Sequence, residues 1–134
     1  MIQRYVVGFL FSPDHKKVVL INKKRPSWQR GLLNGVGGKI EYGETPRQAM
    51  IREFNEETGV LLRTWRQIAA TTDHKNYIVY FFSAVNESFH RVKTKTDEHV
   101  DIYDSHICGR GVVENLKWLI PLSVQKGKED VVVY

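Results

Sequence analysis

Residues 38–60 read GKIEYGETPRQAMIREFNEETGV. Thr45 suits a helix N-cap, Pro46 suits the first helical position, and Gln48 completes a T-x-x-Q capping box. Gly59 suits the residue just beyond a helix C-terminus. The stretch therefore predicts a helix over 46–58. At about 100° per residue, Met50, Ile51 and Phe54 form an apolar arc, and Glu53, Glu56 and Glu57 form an acidic arc interrupted only by small Ala49. Gln48 and Asn55 point elsewhere, to solvent. The acidic arc poses a physical problem. Like charges at i, i+3 and i+4 oppose a helix by roughly 0.2–0.5 kcal/mol per pair. All three also lie toward the negative end of the macrodipole, where anions are disfavoured.

Working outward, "YVVGFLF" (5–11) and "KVVLINKK" (17–24) are rich in β-branched and aromatic residues and flank a Ser12-Pro13-Asp14 turn. They predict a hairpin. "RPSWQRG" (25–31) reads as a polar loop and "LLNGVGGKI" (32–40) as a glycine-broken extended segment. Beyond the helix, 61–72 and 76–85 read as two long strands, 90–98 as a charged loop, and 99–104 as an edge strand. A second helix is expected within 112–126, interrupted or ended by Pro121. The pattern predicts one α/β domain over 1–134, α+β-like, with a mixed β-sheet between helices.

The chain has 134 residues, 42% hydrophobic and 26% charged, a composition usual for one globular domain with one core. No apolar run approaches the ~18 residues of a membrane span. The first residues read as a strand and not as a signal peptide. A single cysteine, Cys108, excludes an intrachain disulfide and favours a cytoplasmic location. The formal charge of +5 leaves anionic partners open, but the basic residues are scattered and do not favour nucleic acid.

The 38–60 stretch resembles the Nudix box, the signature of the Nudix hydrolase family. Gly38, Glu44, Arg52, Glu53, Phe54, Glu56, Glu57, Gly59 and Val60 fill the constrained positions with no departure. Seven of them demand one residue type; at about 1 in 15 each, chance agreement is of order 10⁻⁸ per start point. "NGVGG" (34–38) and the strands before it are also similar to the family, and the last third only loosely so. Within the family the resemblance is to MutT-like, nucleotide-pool-sanitising members. It implies a Nudix fold and hydrolysis of a nucleoside diphosphate linked to another group. A nucleoside triphosphate split to monophosphate and pyrophosphate comes first, with an oxidised purine form favoured. The alternatives are ADP-ribose, a dinucleoside polyphosphate or a capped RNA. A rival of another class is a non-catalytic nucleotide-binding module, which would be expected to have lost box glutamates.

The chemistry accounts for the acidic arc. Polyphosphates travel with Mg²⁺, which takes oxygen ligands from a few carboxylates, phosphate and water. Mg²⁺, with Mn²⁺ as alternative, is thus the expected cofactor, held by Glu53, Glu56 and Glu57. The resemblance adds a backbone carbonyl at Gly37 or Gly38, with Glu44 assisting, and an orienting role for Arg52. It also makes Glu98 a candidate base or extra ligand, with Asp97 and Asp101 as competitors. Lys23, Lys24 and Arg25 are candidates for phosphate contact. Asn115 is a candidate for pairing with a base edge, and Trp118 for stacking on it. Trp28 could instead form a lid. Against these stand ordinary roles: solvated loop carboxylates, surface charge, a core Trp. A zinc site from His99, His106 and Cys108 matches no strong spacing. The expected partner is a small-molecule nucleotide, without a membrane, and the chain is expected to be a monomer or a homodimer.

Overall fold

The computed structural model describes residues 2–106, 112, 116–123 and 131–133. Its described strands are β1 (Gln3–Phe11), β2 (Lys17–Asn22), β3 (Leu33–Asn34), β4 (Val36–Lys39), β5 (Arg66–Thr72), β6 (Tyr77–Val85), β7 (Val100–Asp104) and β8 (Val131–Val133). The helices are α1 (Pro46–Thr58) and α2 (Leu116–Ser123). Short 3₁₀ turns cover Ser27–Gln29 and Glu87–Arg91.

The strands run in the order β3-β2-β1-β6-β5-β8, with β4 added beside β1 and β7 beside β2. One edge of β1 carries β6 in parallel along its whole length, from Gln3 opposite Tyr77 to Phe11 opposite Val85. The other edge is shared. Its first half pairs antiparallel with β4, and Phe11 pairs with Val18 of β2. The sheet is therefore mixed, as the sequence predicts, and it forks at the glycine-broken segment that leads to α1.

Alternation along the central strands builds two cores. Val6, Leu10, Val19 and Ile21 pack with Ala49, Met50 and Phe54 of α1. Phe9, Phe11, Val18 and Leu20 pack with Leu116, Leu119 and Ile120 of α2. Because neighbouring strand residues face opposite ways, the two helices cover opposite faces of the sheet. α1 begins and ends as its sequence dictates. Thr45 Oγ1 accepts from the Gln48 amide at 3.1 Å and Gln48 Oε1 accepts from the Thr45 amide at 2.9 Å. Gly59 terminates the helix at φ 79°, a left-handed geometry that costs a Cβ-bearing residue about 1 kcal/mol or more.

Three expectations need correction. Strand β5 starts at Arg66, not 61. Val60, Leu62 and Trp65 instead pack back onto α1, with the Trp65 indole edge-on to Phe54 at 5.1 Å and its Nε1 donating to Leu62 O at 3.0 Å. Pro121 does not break α2: the described helix runs through it to Ser123. Ser123 Oγ donates back to Leu119 O at 2.7 Å, one turn earlier in the helix. Strand β8, paired parallel to β5, was not anticipated; three valines carry too little period to signal it.

Candidate active site

The site is assembled on α1, and β4 delivers the chain to it. Gly38, on β4 opposite Val6, faces the Glu53 carboxylate: a Cβ there would lie 2.5 Å from Glu53 Cδ and Oε2. Only glycine allows the two to approach so closely.

Arg52 is the hub of the acidic face. Its guanidinium grips Glu44 bidentately, Nε to Oε2 at 2.7 Å and Nη2 to Oε1 at 2.8 Å. Nη1 donates to Glu53 at 2.8 Å and to Glu56 at 3.3 Å, and Nη2 reaches Lys39 O at 3.0 Å. Glu41 approaches Nε at 3.0 Å. The Arg52 cation holds the Glu44 carboxyl below the usual carboxylate range. Glu53 moves the other way: burial pushes it up, Arg52 opposes, and the charges of Glu56 and Glu57 push it further. Glu57 is likewise raised, first by burial; the hydrogen bond from Thr96 Oγ1, at 2.8 Å, works against this.

A second cluster adjoins the first. Glu98 is buried, its side chain 5% exposed. Its Oε2 accepts from the Lys24 amide at 2.6 Å and the Arg25 amide at 3.3 Å, and its Oε1 accepts from Lys23 Nζ at 3.3 Å. Burial alone would raise its pKa, but these donors outweigh it and lower it. Both Glu98 and Lys23 act electrostatically on Glu57. Thr96, bound to Glu57, and Glu98, bound to residues 23–25, thus bring the basic residues that follow β2 to the Glu57 end of the acidic face. Arg25 turns to Asp97 instead, its Nη1 on Oδ1 at 3.2 Å.

Not every candidate joins this site. Asp101 is exposed and faces His99 at 3.4 Å, while His106 faces Asp104 at 3.3 Å. Asn115 and Cys108 lie outside the described residues, as does the side chain of Trp118. Trp28 is exposed in the first 3₁₀ turn. Thr96 and Glu41 went unnoticed in the sequence. Thr96 is 39 residues from Glu57, and no local spacing signals such a contact.

The donor set suits a hard cation. Three carboxylates share one helix face, and the missing Gly38 side chain leaves Glu53 room. In this conformation no three His, Cys, Asp or Glu residues converge on a metal position among the described residues. Arg52 Nη1 instead bridges Glu53 and Glu56, and Thr96 holds Glu57. No helix among the described residues is long and apolar enough to cross a membrane.

Comparison with known proteins agrees with this architecture. The NUDIX domain family matches residues 1–109. ADP-ribose pyrophosphatase of Bacillus subtilis (strain 168) is 30% identical over 95 residues, 69% of this chain and 51% of that protein. The chain thus spans about half the length of this curated relative. Among solved structures, the MutT protein of Bacillus halodurans superposes with a TM-score of 0.72 at 21% identity, over 90% of this chain and 80% of that one. The NUDIX domain of Shewanella oneidensis NrtR, solved with ADP ribose, gives 0.63 at 19% identity, over 78% and 73%. At these identities the structures speak for the fold, and the family match over most of the chain places the box, the forked sheet and α1 in one lineage: the chain belongs to the Nudix family.

Proposed function

We propose that this chain is a Mg²⁺-dependent Nudix pyrophosphohydrolase, acting as one domain on a nucleoside diphosphate linked to another group. A nucleoside triphosphate, cut to monophosphate and pyrophosphate, is its first substrate class. The observation that carries this reading is the meeting of the Glu53–Glu56–Glu57 face with the basic end of β2. One side suits cations and the other suits phosphate, which is what a metal–polyphosphate complex requires.

Glu53, Glu56 and Glu57 would hold the metal, with the backbone at Gly38 alongside. A bound Mg²⁺ supplies neutralisation of phosphate charge and a more acidic water. The residues do the rest. Arg52 holds Glu53 and Glu44 on the helix face before substrate arrives. Lys23 offers a cation to the phosphate chain. Water attacks a phosphorus of the anhydride; one P–O bond forms, the bridging P–O bond breaks, and the proton passes to a box carboxylate. Retention of all three box glutamates argues against a binding module that has lost catalysis.

A second reading has a specific support. The Bacillus subtilis relative is an ADP-ribose pyrophosphatase. Turnover of a panel of purine and pyrimidine triphosphates, ADP-ribose and a dinucleoside polyphosphate, with product identification, decides between the two. Release of pyrophosphate from a triphosphate supports the first. Much faster release of AMP from ADP-ribose than from any triphosphate replaces it with the second. No turnover of any substrate with Mg²⁺ or Mn²⁺ sinks both.

A further inference from the structure

Glu98 sits in a segment that touches both halves of the site. In residues 93–98 (KTKTDE), the Lys93 amide donates to Thr58 O at 2.9 Å and the Lys95 amide to Glu57 O at 3.2 Å. These bonds occupy carbonyls that the end of α1 leaves open. Thr96 Oγ1 then holds the Glu57 carboxylate, and also accepts from the Glu98 amide at 3.3 Å. Two residues on, Glu98 grips residues 23–25. The strap therefore ties the acidic helix face to the basic strand end through consecutive side chains.

A general base needs a lone pair open to water, and a metal ligand needs one open to the ion. Glu98 Oε2 is filled by two backbone amides, Oε1 faces the Lys23 ammonium, and the side chain, only 5% exposed, offers little of either oxygen to water. The two amides belong to consecutive residues, so one oxygen fixes the turn of the backbone there. The other oxygen fixes the Lys23 ammonium, whose own side chain is only 17% exposed. We propose that Glu98 is a positioning residue: it shapes the Lys23–Arg25 turn into a polyphosphate-binding segment and sets its distance from the α1 carboxylates. This rests on the hydrolase reading above only for the identity of the anion; the placement of the segment is independent of it.

The test compares wild type, Glu98→Gln, Glu98→Ala, Lys23→Met and the double variant Glu98→Gln/Lys23→Met. It uses steady-state turnover of the preferred nucleotide and, separately, binding of inorganic tripolyphosphate without metal. Gln keeps an acceptor for the two amides and loses the Lys23 contact; Ala loses both. Glu98→Gln is expected to raise KM and the tripolyphosphate Kd by about 3–10-fold, a change equivalent to one weakened charged contact. Its kcat should stay within about threefold, and Glu98→Ala should raise KM further. Lys23→Met should weaken binding to a similar degree, and the double variant should add less than about twofold to either single change. A fall in kcat of about 10²–10⁴-fold with unchanged KM would make Glu98 a base and overturn the proposal. A raised Mg²⁺ requirement at unchanged nucleotide KM would make it a ligand and overturn it too. So would lowered thermal stability with no change in tripolyphosphate binding, or a wild type that binds no tripolyphosphate. Failure of the hydrolase reading shows in wild type as absent turnover, whereas failure of this one shows in the variants' metal-free binding.

Discussion

Replacing Arg52 with Met should destabilise the metal-free protein more than any other single change on the acidic face. The side chain holds two enclosed carboxylates: Glu44 is 18% exposed and Glu53 12%, against 24% for Arg52 itself. Breaking one partner of a fully buried ion pair costs about 3–5 kcal/mol, because the other charge is stranded. Partial exposure here scales this to about 2–3 kcal/mol. The contacts to Glu41 and Glu56, both more than half exposed, add at most ~0.5 kcal/mol each. For a domain of this length the melting temperature should fall by roughly 8–15 °C. Met conserves the aliphatic packing of the stem, so the loss reports the guanidinium. Arg52→Lys keeps the charge but not the fork that spans both oxygens of Glu44, and should recover about half. Urea unfolding in the presence of a chelator measures this, and the slope with denaturant should stay unchanged. An Arg52→Met midpoint within about 0.5 kcal/mol of wild type would show that these short contacts carry no net stability, and the hub described above would be wrong.

Other outcomes follow from the same geometry. Glu56→Gln and Glu57→Gln should each lower kcat at least about 100-fold with the fold intact by circular dichroism; activity near wild type in both at saturating Mg²⁺ would remove them from the metal site. Millimolar Mg²⁺ should stabilise the fold by mass action, by ~2.7 kcal/mol at a hundred times Kd, and so raise the melting temperature, and the gain should shrink in the double Glu56→Gln/Glu57→Gln variant. Gly38→Ala should cut activity more than stability, since its Cβ would displace the Glu53 carboxylate from 2.5 Å, and an unchanged kcat would refute that contact. The Glu44 pKa is lowered by Arg52, so its contribution is present above the unfolded carboxylate pKa and is lost as pH falls through the folded one. The stability of Glu44→Gln should therefore change less between pH 6 and pH 3 than that of wild type, and equal slopes would contradict it.

The helix and its acidic face were legible because both are written locally. Capping by Thr45 and Gln48, the stop at Gly59 and the acidic arc depend on spacings of three and four residues, which a sequence displays directly. Glu98 was legible as a candidate and not in its setting. A carboxylate among loop charges looks solvated, and only the tertiary return of residues 23–25 encloses it. Trp65 illustrates the same limit. Its run of apolar residues fits a strand, and what decides otherwise is the flank of Phe54, a partner no periodicity names. The base-reading candidates Asn115 and Trp118 were inferred from likeness in the part of the chain where likeness is weakest.

The crowding of carboxylates on α1 is less costly than its spacing implies, and magnitudes show why. The two like-charged pairs that face each other, Glu53–Glu56 and Glu53–Glu57, cost at most about 1 kcal/mol together. Against this, one guanidinium makes charge-assisted hydrogen bonds to the largely enclosed Glu44 and Glu53, each worth about 1.5–3 kcal/mol. At the other end, the Lys93 and Lys95 amides cap the helix carbonyls, weakening the negative pole beside Glu57. The helix is therefore stable without a metal, and its acidity is held in reserve. A cation arriving at this face would not rescue an unfavourable helix; it would compete with Arg52 for Glu53 and Glu56 and with Thr96 for Glu57. In the proposed reading, metal affinity would be set by how firmly those neighbours hold the carboxylates as much as by the carboxylates themselves.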